Sequence, residues 1–178
     1  MNYVAAMESI SGGAEALSRQ EFENFYNRTA PALRGYIRRV AGNEAAADDL
    51  LQESYVRLLS APPLAAPQLK SYLYRTATNL IMDYHRGQWR QRLWQEDARR
   101  RPEAAESRAE LGPDLERLFL LIPAQERALL WLAYVEQAEH REIAAMLGLR
   151  RGSVKVLLHR ARVKMEAILK AHGFEGPE

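Results

Sequence analysis

Apolar side chains recur every three or four residues along most of the chain, and this spacing predicts helices. Residues 22–40 place one apolar face on a long first helix, and residues 51–59 predict a second helix after a Gly-Asn pair. Residues 60–67 contain three prolines, which remove backbone donors and fix φ, so we expect a rigid loop there. A third long helix is predicted to follow, with apolar positions over residues 69–84.

The second half of the chain begins where this pattern breaks. Between about Gln88 and Gly112 the apolar spacing gives way to Arg, Glu, Ala and Gln with proline and glycine breakers, which indicates a linker whose start is compatible with a longer third helix. Four further helices are predicted at Leu115–Leu121, Ala124–Val135, Arg141–Leu147 and Gly152–Ala171. No useful length of strand-like alternation occurs, so the predicted fold class is all-α in two compact halves.

Composition restricts the class of protein. The chain has no cysteine, which excludes a disulfide framework, a thiolate metal site and a thiol nucleophile, and which suits a reducing compartment. The longest apolar stretch, Ala128–Val135, is eight residues, far short of the roughly 20 that a membrane helix needs. Residues 1–17 contain no Lys, no Arg and no apolar block, unlike a signal peptide. We therefore expect a cytoplasmic protein without membrane insertion.

The formal net charge of +2 conceals a strong segregation of charge. Residues 41–56 carry four acids and no base, residues 85–101 have a net charge of +4, residues 102–126 have −4, and residues 141–170 have +6. Such alternation indicates two surfaces for a polyanion and one for a basic partner, although solvated faces also produce charge runs.

A helix-turn-helix is predicted over residues 140–162. The motif needs a short first helix, a small residue where the helices cross, a turn residue that tolerates positive φ, and apolar positions that seat the second helix. The sequence supplies these at Ile143, Ala144, Leu147, Gly148, Leu149, Val154 and Leu158. Outward positions are basic or polar: Arg150, Arg151, Lys155, His159, Arg160, Arg162 and Lys164. The alternative is an ordinary amphipathic hairpin with basic residues facing solvent.

Four stretches, taken together in order and spacing, carry a family resemblance. They are EFENFY at 21–26 with APAL at 30–33; ADDLLQESYVRL at 47–58; SYLYRTATNLIMDYHR at 71–86; and IPAQER at 122–127 followed by EIAAMLG at 142–148, GSVK at 152–155 and LHRAR at 158–162. The chain resembles the extracytoplasmic-function (ECF) sigma factors, the smallest members of the sigma-70 family of bacterial transcription initiation factors.

The resemblance implies a domain organisation. We expect a disordered extension over residues 1–18, a three-helix sigma region 2 domain over 19–94, a flexible linker over 95–112, a four-helix sigma region 4 domain over 113–172, and a tail over 173–178.

The resemblance also implies a function and partners. The expected protein docks on core RNA polymerase, through the clamp coiled coil of the largest subunit and the flap of the second largest, and directs recognition of the −35 and −10 promoter elements and DNA melting. Promoter DNA and an anti-sigma factor are the other expected partners.

The acidic stretch is the expected docking face for the clamp coiled coil. By resemblance this face comprises Asp48, Asp49, Leu50, Gln52 and Glu53, with Leu51 adding to the contact. For this stretch alone, a solvated acidic face or a pair of helix-capping acids is the favoured interpretation. A pair of catalytic carboxylates is disfavoured, because adjacent helix positions diverge by about 100°.

The third helix and the loop before it are expected to open the −10 element and hold one base outside the stack. Asn79 matches the polar position of that site, and Leu64 in the loop matches the pocket wall, where the family often has an aromatic residue. His85, Arg86, Arg90 and Arg92 are expected along phosphates. Trp89 and Trp94 are left open between anchors of the core or linker and platforms for bases.

The last helix is expected to read the −35 element through Arg150, Arg151, Ser153, Lys155, Val156, His159 and Arg160. Here the sequence departs from the family, because Val156-Leu157 replace a usual Ser-Arg pair and Arg150-Arg151 occupy the turn where a Ser cap is usual. We expect Lys155 and Arg160 to carry most of the recognition and one turn arginine to contact phosphate. Val156 has the right chemistry for a thymine methyl, and Leu157 is expected to be buried.

No chemistry of the chain's own is predicted. The four histidines lack metal-ligand spacing, and there is no phosphate loop, glycine fingerprint or nucleophile motif, so we expect no enzymatic activity, no metal and no cofactor. Two alternatives remain: a stand-alone helix-turn-helix regulator, and a helical anti-sigma or adaptor module. The latter would leave the +6 segment unexplained.

Overall fold

The structure is a computed structural model that describes residues 17–96 and 113–174. Seven helices lie in these ranges: α1 Arg19–Ala41, α2 Glu44–Leu59, α3 Ala66–Glu96, α4 Pro113–Leu120, α5 Ala124–Tyr134, α6 His140–Leu147 and α7 Arg151–Ala171. No strand occurs in them, and the all-α prediction is confirmed. No helix in the two ranges is long and apolar enough to cross a membrane.

Three parts of the expected domain organisation lie outside the described residues: the N-terminal extension up to residue 16, the linker over 97–112 and the tail from 175. Helix α3 continues to Glu96, beyond the apolar pattern that predicted it and into the segment where the linker was expected to begin. The domain boundaries themselves remain predictions.

Helices α1, α2 and α3 form an N-terminal bundle whose ends are fixed by local signals. Ser18 caps α1 in a reciprocal capping box with Glu21, and Gly42, in the left-handed conformation with φ 68°, ends the helix. Asn43 then caps α2 by accepting a hydrogen bond from the Ala46 amide. The short turn between α1 and α2 thus follows directly from residues 42 and 43.

Two tyrosine–threonine hydrogen bonds join the three helices inside this bundle. The Tyr36 and Thr78 hydroxyls lie 2.7 Å apart and connect α1 with α3, while those of Thr29 and Tyr55 lie 2.7 Å apart and connect α1 with α2. Burial raises the pKa of Tyr36, so its hydroxyl stays protonated. Directional bonds in an otherwise apolar core favour one register of the helices over others.

Helices α4 to α7 form a C-terminal bundle with an aliphatic core. Fully or nearly fully buried side chains come from every helix: Leu118, Leu129, Leu132, Ile143, Met146, Val154 and Ala161. This bundle packs on the N-terminal one, with α5 against α1 and α6 against α3, so that a single apolar core runs through both. The two halves predicted from the sequence are present, and in this structure they are in contact.

Candidate nucleic-acid and protein interfaces

The acidic face of α2 is exposed as expected. Asp48 and Asp49 are exposed, and Leu50, Gln52 and Glu53 are half-buried. Leu51 is buried in the bundle core and supplies no surface to a partner, because its position on α2 turns inward. The capping alternative does not hold, since Asn43 rather than an aspartate caps this helix.

Much of the charge on this face is neutralised within the chain. The Arg34 guanidinium donates to both Asp48, at 2.6 Å, and Glu44, at 3.1 Å. This contact lowers the pKa of the Asp48 carboxyl. Glu53 pairs with Arg57 one turn later, at 2.8 Å. Asp49 makes no ion pair with any described residue, so it carries the most available negative charge on the face.

The exposed side of α3 lines a cleft of about 880 Å³ between the two bundles. Asn79, His85, Arg86, Trp89 and Arg90 line it from α3, and Gln125 and Leu147 line it from the C-terminal bundle. Four of the residues predicted from the sequence to face the −10 element therefore line one surface: Asn79, His85, Arg86 and Arg90. Leu64, in the loop before α3, is half-buried against the core of the N-terminal bundle.

The basic residues of α3 divide into two groups. His85 is half-buried, with Nε2 3.4 Å from the Val40 carbonyl oxygen and 3.3 Å from the Arg127 guanidinium, so here it lies at the contact between bundles instead of along an open strip. Arg86 and Arg90 are exposed, and Arg86 also pairs with Asp83.

The sequence left the roles of Trp89 and Trp94 open, and the structure answers the question for Trp89. Trp89 is 64% exposed, which excludes it as a core anchor and leaves its ring available to stack. The side chains of Arg92 and Trp94 are outside the described set.

The helix-turn-helix has the predicted geometry. Gly148 ends α6 with φ 64°, and the Leu149 amide donates back to the Ala144 carbonyl at 2.8 Å. Of the positions predicted to hold the two helices together, four are buried, Ile143, Ala144, Val154 and Leu158, and two are half-buried, Leu147 and Leu149. Met146, which the sequence did not single out, is buried with them.

The first half of α7 presents an unpaired basic surface, which we call the recognition surface. It comprises Arg150, Arg151, Lys155, Val156, His159 and Arg160, all exposed, with Ser153 half-buried beside them. None of its cations has an ion-pair partner in the described part of the chain. Val156 is 51% exposed, whereas Leu157 is half-buried against the core, so the pair that departs from the family divides between surface and interior.

Sequence reasoning missed an apolar groove of about 630 Å³ on the C-terminal bundle. Leu115 and Phe119 of α4, Trp131 and Tyr134 of α5, and Met165 and Leu169 of α7 line it. Leu115 and Tyr134 are more than half exposed. An apolar surface of this kind typically marks a protein contact. Its only signal in the sequence was that these helices carry more apolar positions than one buried stripe requires.

Sequence reasoning also missed the role of Arg127, which is only 5% exposed. Burial lowers its pKa to about 10, which leaves the guanidinium charged near neutral pH. In the sequence it ends the IPAQER stretch, and its residue type alone does not distinguish it from a solvent-exposed arginine. In the described ranges, no three His, Asp or Glu side chains gather as a metal site would require.

Known proteins resemble both bundles. The family profile for Sigma-70 region 2 matches residues 25–91, and the profile for Sigma-70, region 4 matches residues 114–165. The ECF RNA polymerase sigma factor SigE of Mycolicibacterium smegmatis is 32% identical over 146 residues, which are 77% of this chain and 57% of SigE. SigL of Mycobacterium tuberculosis is 29% identical over 87% of this chain and 92% of SigL.

Two solved structures share the fold. The sigma factor RpoE from Bartonella quintana, solved in complex with the anti-sigma factor NepR, gives a TM-score of 0.68 at 21% identity and covers 85% of this chain and 98% of RpoE. CnrH, solved with the cytosolic domain of CnrY, gives 0.62 at 21% identity and covers 94% and 96%. With both profiles in the expected order, on the two bundles that carry the predicted surfaces, the chain belongs to the ECF group of the sigma-70 family.

Proposed function

We infer that this chain is an alternative sigma factor that binds core RNA polymerase and directs it to promoters. The observation that carries this function is the recognition surface, which combines helix-turn-helix geometry with cations that have no partner among the described residues. Phosphates attract such cations, and releasing counterions from DNA favours binding. An anti-sigma or adaptor module would have no use for this surface.

Docking on the polymerase uses two chemically different surfaces. The acidic face of α2 suits a basic coiled coil such as the clamp of the largest subunit, and Asp49 and Glu53 are its leading contacts. The apolar groove suits an amphipathic helix such as one from the flap of the second-largest subunit. Exposed ion pairs such as Arg34–Asp48 contribute little to stability, so a basic partner can replace them at small cost.

Promoter opening is assigned to the exposed side of α3. We expect Asn79 to hydrogen-bond a base held outside the stack and Leu64 to form part of the wall behind it. Arg86 and Arg90 contact phosphates, and Trp89 offers a ring on which a base can stack. His85 can contact phosphates only when the two bundles are apart, because it lies at the contact between them.

Reading of the −35 element is assigned to α7. Lys155 and Arg160 lie on its exposed side and are expected to read base edges, while Arg150 or Arg151 contacts phosphate near the helix start. Val156 is 51% exposed, and we expect it to touch a thymine methyl.

The remaining partners and the location follow from this assignment. RpoE was solved in complex with the anti-sigma factor NepR, and CnrH was solved with the cytosolic domain of CnrY, so we propose that an anti-sigma factor controls this chain too. A subunit of the bacterial polymerase works where the chromosome lies, which places the chain in the cytoplasm. Bond formation belongs to the polymerase, and we assign the chain no catalysis and no cofactor.

A binding experiment tests the function and excludes the stand-alone regulator. The purified chain is added, with and without core polymerase, to a library of duplex DNA, and bound sequences are selected. We expect sequence-specific complexes only with core, because core holds two weak DNA-binding surfaces at fixed spacing and so raises their effective concentration. Tight, specific binding by the free chain would support a stand-alone regulator, and no selection with core would contradict a sigma factor.

A further inference from the structure

Two arginines of α1 bind the edge of the acidic face on α2 that lies nearest to them. The Arg34 guanidinium donates two hydrogen bonds to Asp48, from Nε to Oδ1 at 2.6 Å and from Nη2 to Oδ2 at 3.3 Å. Its Nη2 also donates to Oε1 of Glu44 at 3.1 Å, and Arg38 donates to Oε2 of Glu44 at 3.2 Å. All four oxygens of these two carboxylates therefore accept a hydrogen bond from within the chain.

The packing of α1 on α2 has other supports than these ion pairs. The turn between the helices is set by its glycine and asparagine caps, and a shared apolar core holds the two helices together. Arg34, Asp48 and Glu44 keep 41%, 68% and 57% of their side-chain surface exposed. Ion pairs between side chains so exposed to solvent contribute little to stability. What the pairing changes is the charge that the α2 surface offers to a partner.

The two neighbouring aspartates of α2 differ in what a basic partner would meet. Successive helix positions diverge by about 100°, so Asp48 points toward Arg34 while Asp49 is turned away from it. Asp49 makes no ion pair with any described residue, and a lysine or arginine of the partner can bind it directly. The same partner reaches Asp48 only by displacing a guanidinium that already binds both of its oxygens.

We propose that Arg34 is an internal competitor of core polymerase: it occupies the place on Asp48 that a basic side chain of the clamp takes in the holoenzyme. The proposal rests on the function proposed above. Docking breaks the Arg34–Asp48 pair and leaves the displaced cation next to a basic surface, where like charges repel. Both effects weaken core binding. Arg34 thereby raises the chain concentration needed to form the holoenzyme, although it is not itself a docking residue.

Arg34→Gln removes the competing cation. Glutamine has nearly the same helix propensity as arginine, so α1 is preserved. We expect core affinity to rise about two- to fivefold at low salt, as release of one exposed ion pair allows, and the gain to shrink as salt screens the charges. Arg28→Gln is the matched control, because Arg28 is an exposed cation of α1 with no ion-pair partner in the described part of the chain. Its position, six residues earlier, lies about 120° around the helix from Arg34.

A double-mutant cycle shows whether Arg34 acts through Asp48. Asp48→Asn removes the charge that Arg34 binds and keeps the shape of the side chain. In the Asp48→Asn background, we expect Arg34→Gln to give less than half of the free-energy gain that it gives in the wild type. A general effect of one positive charge would be the same in both backgrounds, because independent contributions add. A merely structural role of Arg34 would not produce this coupling in core binding.

Core-binding titrations at several salt concentrations are measured on the full chain for the wild type, the three single variants and the double variant, and circular dichroism checks helix content. Tighter binding by Arg34→Gln that is coupled to Asp48, with no gain for Arg28→Gln, supports the competitor. Unchanged or weaker binding by Arg34→Gln would overturn it, and so would an equal gain by Arg28→Gln or in the Asp48→Asn background. If neither the wild type nor any variant binds core, the proposed function fails. If all of them bind core with equal affinity, only the competition fails.

Discussion

Helices α2 and α7 carry opposite charge, and they differ in how much of that charge is paired within the chain. On α2, Asp48 is held by Arg34 of the neighbouring helix, and Glu53 is held by Arg57. On α7, only the second half is paired, through Lys164 with Glu126 and Lys170 with Glu166. The recognition surface in the first half has no ion pairs in the described ranges.

This difference separates two kinds of interface. A protein partner brings its own charges and apolar contacts, so an acidic face that is partly neutralised keeps specificity without a large self-repulsion. A DNA ligand gains most of its affinity from phosphate contacts, and these need cations that are not already engaged. Charge pairing therefore marks which residues of each helix are available to a partner, which the net charge of a segment does not reveal.

The largest expected effect comes from reversing the available charge on α2. We expect Asp49→Lys combined with Glu53→Lys to weaken core binding by roughly 100-fold or more, about 3 kcal/mol, because like charges would face each other across the contact. Titration with core polymerase measures this, and helix content by circular dichroism is expected to remain. Glu23→Lys, an equally acidic exposed site on α1, is the control. Unchanged core binding by the double variant would place the docking face elsewhere.

The next effect separates reading from positioning on α7. We expect Lys155→Ala to cost about 1 to 3 kcal/mol at one promoter position, as loss of a base contact does. Arg151→Ala should instead weaken all sequences alike and reduce the logarithmic salt slope by about one, as loss of one phosphate contact does. Holoenzyme binding to single-base variants of the −35 element, at several salt concentrations, distinguishes them. Identical, sequence-independent losses would mean that α7 positions the domain without reading.

A smaller effect is expected at the promoter-opening surface. Asn79→Ala should reduce open-complex formation on duplex promoters about fivefold, close to the 1 kcal/mol of one hydrogen bond, and much less on pre-melted promoters. The difference arises because only paired DNA requires a base to be unstacked. Leu64→Ala should behave in the same direction. Equal defects on both templates would show that these residues act at another step.

The smallest expected effect tests directly whether ion pairing predicts which cations of α7 contact DNA. Lys164→Ala removes a cation from α7 that is already bound to Glu126 at 2.7 Å. We expect promoter affinity to change by less than about 0.5 kcal/mol, within the range of ordinary surface substitutions. Holoenzyme binding measured beside Lys155→Ala gives the comparison. A loss as large as that of Lys155 would mean that ion pairing does not predict which cations contact DNA.

The sequence alone determined the helices and most of the exposed chemistry. Periodicity, Gly42 and Gly148 identified where α1 and α6 end, because caps and apolar stripes depend on residues within one or two turns of each other. Leu157, which was expected to be buried, is half-buried, while Val156 beside it is exposed. Local spacing also placed Asp49 and Lys155 on exposed faces before any fold was known.

Only the tertiary structure decided which residues those helix faces contact. Arg127 is separated from Val40 by 87 positions in the chain, and no local pattern indicates that its guanidinium caps the end of a distant helix. The same holds for His85, which resembles its exposed neighbours in sequence yet lies at the contact between bundles, and for Trp131, whose neighbour Gly35 belongs to another bundle. Local spacing determines which side of a helix is apolar. Which element packs against that side depends on contacts between distant segments, and those contacts form only when the chain is folded.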